Sequence, residues 1–95
     1  MALTVKFIGA LRHITGQPKL SFNFAQNFSI KDLILQLTVD KPQLKANLIS
    51  QQTDGTLKTN ALILVNDREI SVLSGLNTQL QDGDEIVFIP VVHGG

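Results

Sequence analysis

The sequence closes on Pro90-Val91-Val92-His93-Gly94-Gly95, so a carboxylate follows two residues that carry no side chain. Glycine lacks a Cβ, and such a segment can thread a passage too narrow for other residues. A free α-carboxyl has a pKa of about 3.5, so near neutral pH it is an anion that nucleophiles do not attack. Acyl chemistry at Gly95 therefore requires activation from outside. Cysteine is absent from the 95 residues, which removes disulfides, persulfides, thiolate metal sites and cysteine nucleophiles together. Any sulfur this chain handles sits elsewhere than on a side chain. The plainer alternative for Gly94-Gly95 is a short tail without a role.

Other residue types with chemical potential form no constellation. His13 and His93 are the only side chains of the kind that acts as a base near neutral pH, and neither has a nucleophile or acid at a recognisable spacing. His93 is expected either to meet an acidic or phosphate group of a partner or to be a solvated tail residue. No phosphate-cradling glycine loop, zinc-binding helix motif or serine nucleophile elbow is present, so turnover by the isolated chain is not expected. Asp82-Gly83-Asp84 lacks further oxygen ligands at calcium-loop spacing and reads as a turn. Asn27-Phe28-Ser29 matches a glycosylation sequon, but Ser29 is better placed as a helix cap. Lys6 and Arg12 are candidates for rim salt bridges to an acidic partner, contacts worth about 0–1 kcal/mol when exposed.

Ninety-five residues at 43% hydrophobic content suffice for one small core, and a single domain over 1–95 with a flexible Gly-Gly tail is expected. Eight Lys and Arg balance eight Asp and Glu, a net charge that does not favour nucleic acid or an anionic membrane as partner. No apolar run approaches the ~18 residues of a membrane span. Met1-Ala2-Leu3-Thr4-Val5 lacks the basic start and long apolar stretch of a signal peptide, so a cytoplasmic location is the expectation.

The elements that position the tail follow from periodicity. Leu3, Val5 and Phe7 alternate with Thr4 and Lys6, the signature of a half-buried strand. Gly16 and Pro18 mark a turn, after which Leu20, Phe22 and Phe24 alternate again, predicting an antiparallel hairpin. Ser29-Ile30-Lys31-Asp32 has the form of a capping box, and Ile30, Leu33, Ile34 and Leu37 place one stripe of the main helix on a core. Asp40-Lys41-Pro42 ends that helix, and Pro42 opens a second short one to about Ile49. Residues 51–60 are polar and aperiodic and read as a surface loop. Ala61–Val65 is a continuous apolar strand, Asn66-Asp67 a tight turn, and residues 69–72 a short edge strand. Residues 73–81 read as an irregular connection, and Asp82-Gly83-Asp84 turns into the last strand.

This order matches an α+β fold of the ubiquitin-like β-grasp type: a mixed sheet of about five strands holding one main helix, with one short helix beside it. In that architecture the last strand lies parallel to the first, mid-sheet, and supports the tail. Ile86, Phe88 and Pro90 point to one face and Val87, Ile89 and Val91 to the other. Strands apolar on both faces imply cover on both sides, yet the chain has helix for one side only. A docking face opposite the main helix is therefore expected, loops or a second copy being the alternative cover. Phe88, Pro90, Val92, His93 and Gly94 are the residues expected to meet the partner.

Three stretches carry a family resemblance: residues 7–16 (FIGALRHITG), residues 63–70 (ILVNDREI), and residues 80–95 with their Asp-Gly-Asp turn, apolar strand and terminal Gly-Gly. Together they resemble the MoaD/ThiS sulfur carriers, including the small subunit of molybdopterin synthase. The resemblance implies that a partner activating enzyme uses ATP to form an acyl-adenylate at Gly95, and that sulfur from a persulfide donor replaces AMP to give a thiocarboxylate. Gly95 is then the reacting residue and Gly94 gives access to it. The carrier itself binds no stable cofactor and no metal and is not an enzyme, though it is the kind of chain that serves as small subunit to a catalytic larger one. The implied partners are the adenylating enzyme and a sulfur acceptor such as the molybdopterin synthase large subunit, with molybdenum cofactor biosynthesis the leading destination. Members dedicated to molybdopterin more often read Pro-Pro-Val and a small residue where this chain has Pro90-Val91-Val92-His93. His-Gly-Gly is also similar to ubiquitin-related modifiers, which implies two alternatives: sulfur donation for tRNA thiolation, and isopeptide conjugation to lysines.

Overall fold

Alternation along β1 (Ala2–Phe7) buries Leu3, Val5 and Phe7 and leaves the residues between them half-exposed. The computed structural model describes residues 1–51 and 57–91. β1 turns at Gly9 into a short helix, α1 (Ala10–Thr15), which closes on Gly16 at φ 74° and returns as β2 (Lys19–Asn23). β2 pairs antiparallel with β1, Leu3 facing Phe22 and Val5 facing Leu20. The sequence predicts the hairpin but not α1. Six residues between two glycines bury only Leu11 fully, too little for a helical period to register.

α2 (Ile30–Asp40) begins as the sequence predicts. Ser29 Oγ accepts the Asp32 N–H at 3.2 Å, and Asp32 Oδ2 accepts the Ser29 N–H at 3.0 Å, a reciprocal cap that stabilises a helix start by about 0.5–2 kcal/mol. Ile30, Leu33, Ile34 and Leu37 are all buried. After Lys41 the chain takes a 3-10 turn (Pro42–Leu44), then α3 (Lys45–Leu48). α3 runs directly into β3 (Ile49–Gln51), which pairs antiparallel with β4 (Leu57–Thr59). The surface loop expected over 51–60 is thus corrected at both ends. Strands of three residues are too short to display alternation, and backbone hydrogen bonds hold them together.

β5 (Ala61–Val65) turns through Asn66 and Asp67, both at positive φ, into β6 (Arg68–Glu69). The edge strand expected over 69–72 stops after Glu69. Ser71 donates its backbone N–H to the Glu69 carboxylate and closes a 3-10 turn (Ile70–Val72) instead. A third 3-10 turn (Gly75–Asn77) leads to β7 (Glu85–Pro90).

The five-stranded sheet has the order β2-β1-β7-β5-β6, with β1 and β7 parallel and the other pairs antiparallel. Its inner face packs on α2 through Phe7, Ile63, Ile86 and Phe88 among others, forming one hydrophobic cluster. The β-grasp expectation holds in element order and in strand placement. Among the described residues no helix is long and apolar enough to cross a membrane.

Candidate functional site

The Asp82-Gly83-Asp84 turn anchors the start of β7 to both neighbouring strands. Asp82 Oδ1 accepts the Ala2 N–H at 2.8 Å, and the Gly83 N–H donates to the Ala2 carbonyl at 2.8 Å. Asp84 Oδ1 accepts from Asn66 Nδ2 at 2.8 Å while Asn66 Oδ1 accepts the Glu85 N–H at 2.9 Å. Backbone amides and an asparagine thus occupy these carboxylates.

The other end of β7 is handed from two neighbours to one. The Ile8 N–H donates to the Phe88 carbonyl at 3.0 Å, the last bond from the β1 side. Pro90 then presents no N–H where β1 has turned away, so the proline removes no ladder bond at this position. Gly9 makes that departure at φ 62° and ψ −133°, and Pro90 Cγ lies 3.2 Å from where a Cβ on Gly9 would sit. Both the backbone angles and the proline ring therefore require glycine at position 9. On the β5 side pairing continues, Ala61 facing Pro90 and the Val91 N–H donating to the Asn60 carbonyl at 3.4 Å. The chain reaches residue 91 supported along the β5 edge.

Beside this exit the outer face of the sheet is apolar. Leu62 faces Ile89, and Leu64 faces Val87 across β5 and β7. Ile8 and Val91, both 46% exposed, extend the patch at the tail end, and Leu62 is 38% exposed. No helix covers it. At its far edge Lys6 Nζ lies 3.2 Å from Glu85 Oε2, an exposed pair worth about 0–1 kcal/mol. A concavity of about 780 Å³ lies elsewhere, between Leu35, Val39 and Ala46 on the helix side, and its lining offers only the Lys45 amine and the Thr38 hydroxyl as reactive groups. The candidate site is a surface with an emerging chain, not a pocket.

Of the residues expected to meet a partner, Phe88 is corrected. It is fully buried and stacks on Phe7, ring centroids 5.9 Å apart, on the face that meets the helix. The outward set is Val87, Ile89 and Val91. Glu85 shares their parity, and a charged residue on that side was the available signal. Pro90 is half-buried against Gly9. Val92, His93, Gly94 and Gly95 lie outside the described residues. Sequence reasoning did not single out Ile8, Leu62 or Leu64, because their adjacency depends on strand register.

The family model described as the ThiS family matches residues 5–95. This chain belongs to the ThiS family. Two relatives match this ThiS-family chain over its whole length and their own: small archaeal modifier protein 3 of Haloferax volcanii at 30% identity, and ubiquitin-related modifier 1 of Schizosaccharomyces pombe at 32%. The solution structure of small archaeal modifier protein 1 from Methanosarcina acetivorans is similar at 33% identity with a TM-score of 0.83, covering 99% of this chain and 96% of that one. The ThiS-family chain is accordingly a small ubiquitin-like protein of the carrier and modifier class.

Proposed function

We propose that this protein is a sulfur carrier in which Gly95 receives sulfur as a thiocarboxylate. The observation that carries the proposal is the support of the chain at Val91: β7 is held mid-sheet by β1 and β5, beside an uncovered apolar face. Four residues separate this support from the end of Gly95, and four residues span at most about 14 Å. A partner that docks on Ile8, Leu62 and Ile89 then receives the carboxylate within a defined radius. Pro90, Val92, His93 and Gly94 form the approach, and Gly94 admits the chain to a narrow site.

The chemistry belongs to the partner. A Gly95 carboxylate oxygen attacks the α-phosphorus of ATP, pyrophosphate leaves, and the resulting acyl-adenylate has AMP as leaving group. The terminal sulfur of a donor persulfide then attacks the acyl carbon and AMP departs. A thiol finally attacks the inner sulfur of the acyl disulfide, forming a disulfide with the donor and releasing the thiocarboxylate. A chain without cysteine does not divert these steps onto its own side chains.

The test combines the purified chain with its activating enzyme, ATP and a persulfide donor, and reads intact mass for the replacement of one oxygen by sulfur. A chain lacking Gly95 that still accepted sulfur would overturn the proposal. We place the reaction in the cytoplasm, with the large subunit of a molybdopterin synthase as the first acceptor to assay and thiolated tRNA as the second product to measure. Full-length similarity to proteins named as modifiers favours a further reading, conjugation of Gly95 to target lysines. A proteolytic search for lysines carrying the tail remnant decides it.

A further inference from the structure

A net charge of zero conceals a separation of charge along the axis of β7. All eight Lys and Arg lie among the described residues, as do all Asp and Glu except Asp54. The β1–β7 and β5–β7 registers define two ends, one at Glu85 and one at Val91. The Arg12 N–H donates to the Gly9 carbonyl at 3.0 Å, and Gly9 lies against Pro90, which puts Arg12 of α1 at the Val91 end. Lys19 of β2 pairs with Lys6 and stays level with Val87, midway along β7. The Asn60 N–H donates to the Leu48 carbonyl at 2.9 Å, and Asn60 itself accepts from Val91. The single turn of α3, which begins at Lys45 and ends at Leu48, is therefore at that end too, as is Lys58 of β4. Lys41 closes α2 there.

The opposite end is acidic. The Ile30 N–H donates to the Thr78 carbonyl at 3.0 Å and the Leu80 N–H to the Phe28 carbonyl at 2.8 Å, so α2 begins next to the segment that leads into Asp82. Asp32, Asp67, Glu69, Asp82 and Asp84 gather there, against Lys31 and Arg68. Glu85 also lies at this end, its charge offset by Lys6 of β1. The tail-exit end thus holds Arg12, Lys41, Lys45 and Lys58 against a single described carboxylate, Asp40.

We infer that the tail-exit end docks on an acidic protein surface, which orients the incoming chain before the apolar face makes contact. The inference rests on the tail being the functional end, and it adds the charge of the partner. Opposed fields of this kind raise association rates by about 10–1000-fold at low salt and fade as ionic strength rises. A protein surface is favoured over nucleic acid because the pole offers no aromatic platform for bases. Phe7 and Phe88 are buried on each other, Phe24 is buried, and Phe22 and Phe28 stack together.

The test uses the full chain and its activating enzyme, reading apparent KM in ATP–pyrophosphate exchange from 50 mM to 0.5 M KCl. K45E/K58E reverses two exposed cations at the tail-exit end, and K31E/R68E reverses two at the other end with the same change in net charge. K45E/K58E is expected to raise KM about tenfold at the lowest salt and less than about twofold at the highest, with K31E/R68E within about threefold throughout. An amide NMR spectrum of each variant verifies its fold. A KM that ignores salt, or that responds equally to both double variants, overturns the inference.

Absence of any exchange overturns the sulfur-carrier reading and leaves the pole to a second measurement, an NMR titration with deca-glutamate. Shifts confined to the amides near Arg12, Lys41, Lys45 and Lys58 support the inference; shifts spread over both ends overturn it. Oligouridylate binding with Kd below about 100 µM in 0.15 M KCl assigns the pole to nucleic acid and also overturns it.

Discussion

Gly9 and Pro90 define the tail exit together, and each makes sense only beside the other. A side chain at position 9 would meet the Pro90 ring while the backbone holds φ at 62°. Gly9→Ala is therefore expected to lower stability by about 1–3 kcal/mol in chemical denaturation and to reduce thiocarboxylate formation in whatever protein remains folded. Glu69 is a second local case. Ser71, through its hydroxyl first and its backbone N–H second, holds the Glu69 carboxyl below its ordinary value. A depressed carboxylate contributes stability that is present above the unfolded pKa and lost as pH falls through the folded one. Ser71→Ala should accordingly narrow the difference in melting temperature between pH 7 and pH 3, measured by circular dichroism, and an unchanged difference would refute this account. The serine cap was legible from Ser29-Ile30-Lys31-Asp32 because both partners lie within four residues. The Gly9 contact was not, since Pro90 is 81 positions away.

At the level of elements, β7 has two apolar faces with opposite duties. Phe88 anchors the strand in the core, and its replacement by alanine removes a buried ring stacked on Phe7. A loss of about 3–5 kcal/mol is expected in denaturant titration. Ile89 is one residue on and faces outward, so Ile89→Asp should change stability far less while weakening binding to the activating enzyme by at least about tenfold. Equal effects of the two substitutions on folding would contradict this assignment of faces. α2 was readable because its apolar stripe runs over two turns with a capping box at its head. α1, β3 and β4 were not, being too short for a period and dependent on backbone bonds or glycine turns. The face of Phe88 was misjudged for a related reason: both faces of β7 are apolar, and only register against β1 and β5 distinguishes them.

For the molecule as a whole, the first and last strands are neighbours at the centre of the sheet, so the core cannot close until β1 and β7 meet. Amides of Val5, Phe7, Ile86 and Phe88 should exchange with solvent only through global unfolding, and those of the β3–β4 pair through local opening at lower cost. Native-state hydrogen exchange against denaturant measures both. Core amides that exchange as readily as β3–β4 amides would show the centre of the sheet opening independently. The same β1–β7 adjacency brings α1 to the tail exit and gathers Arg12 with Lys41 after α2, Lys45 of α3 and Lys58 of β4.

From sequence alone came the β-grasp order of elements, the cap and buried stripe of α2, the absence of a side-chain thiol, and the expectation that chemistry is concentrated at Gly95. These rest on local periodicity, residue type and short-range spacing, all visible in one dimension. Tertiary structure decided which face of β7 is buried, how Gly9 admits Pro90, and how a neutral composition divides into a basic and an acidic end. Each of these is a relation between residues tens of positions apart, and only strand register and helix direction bring such residues together.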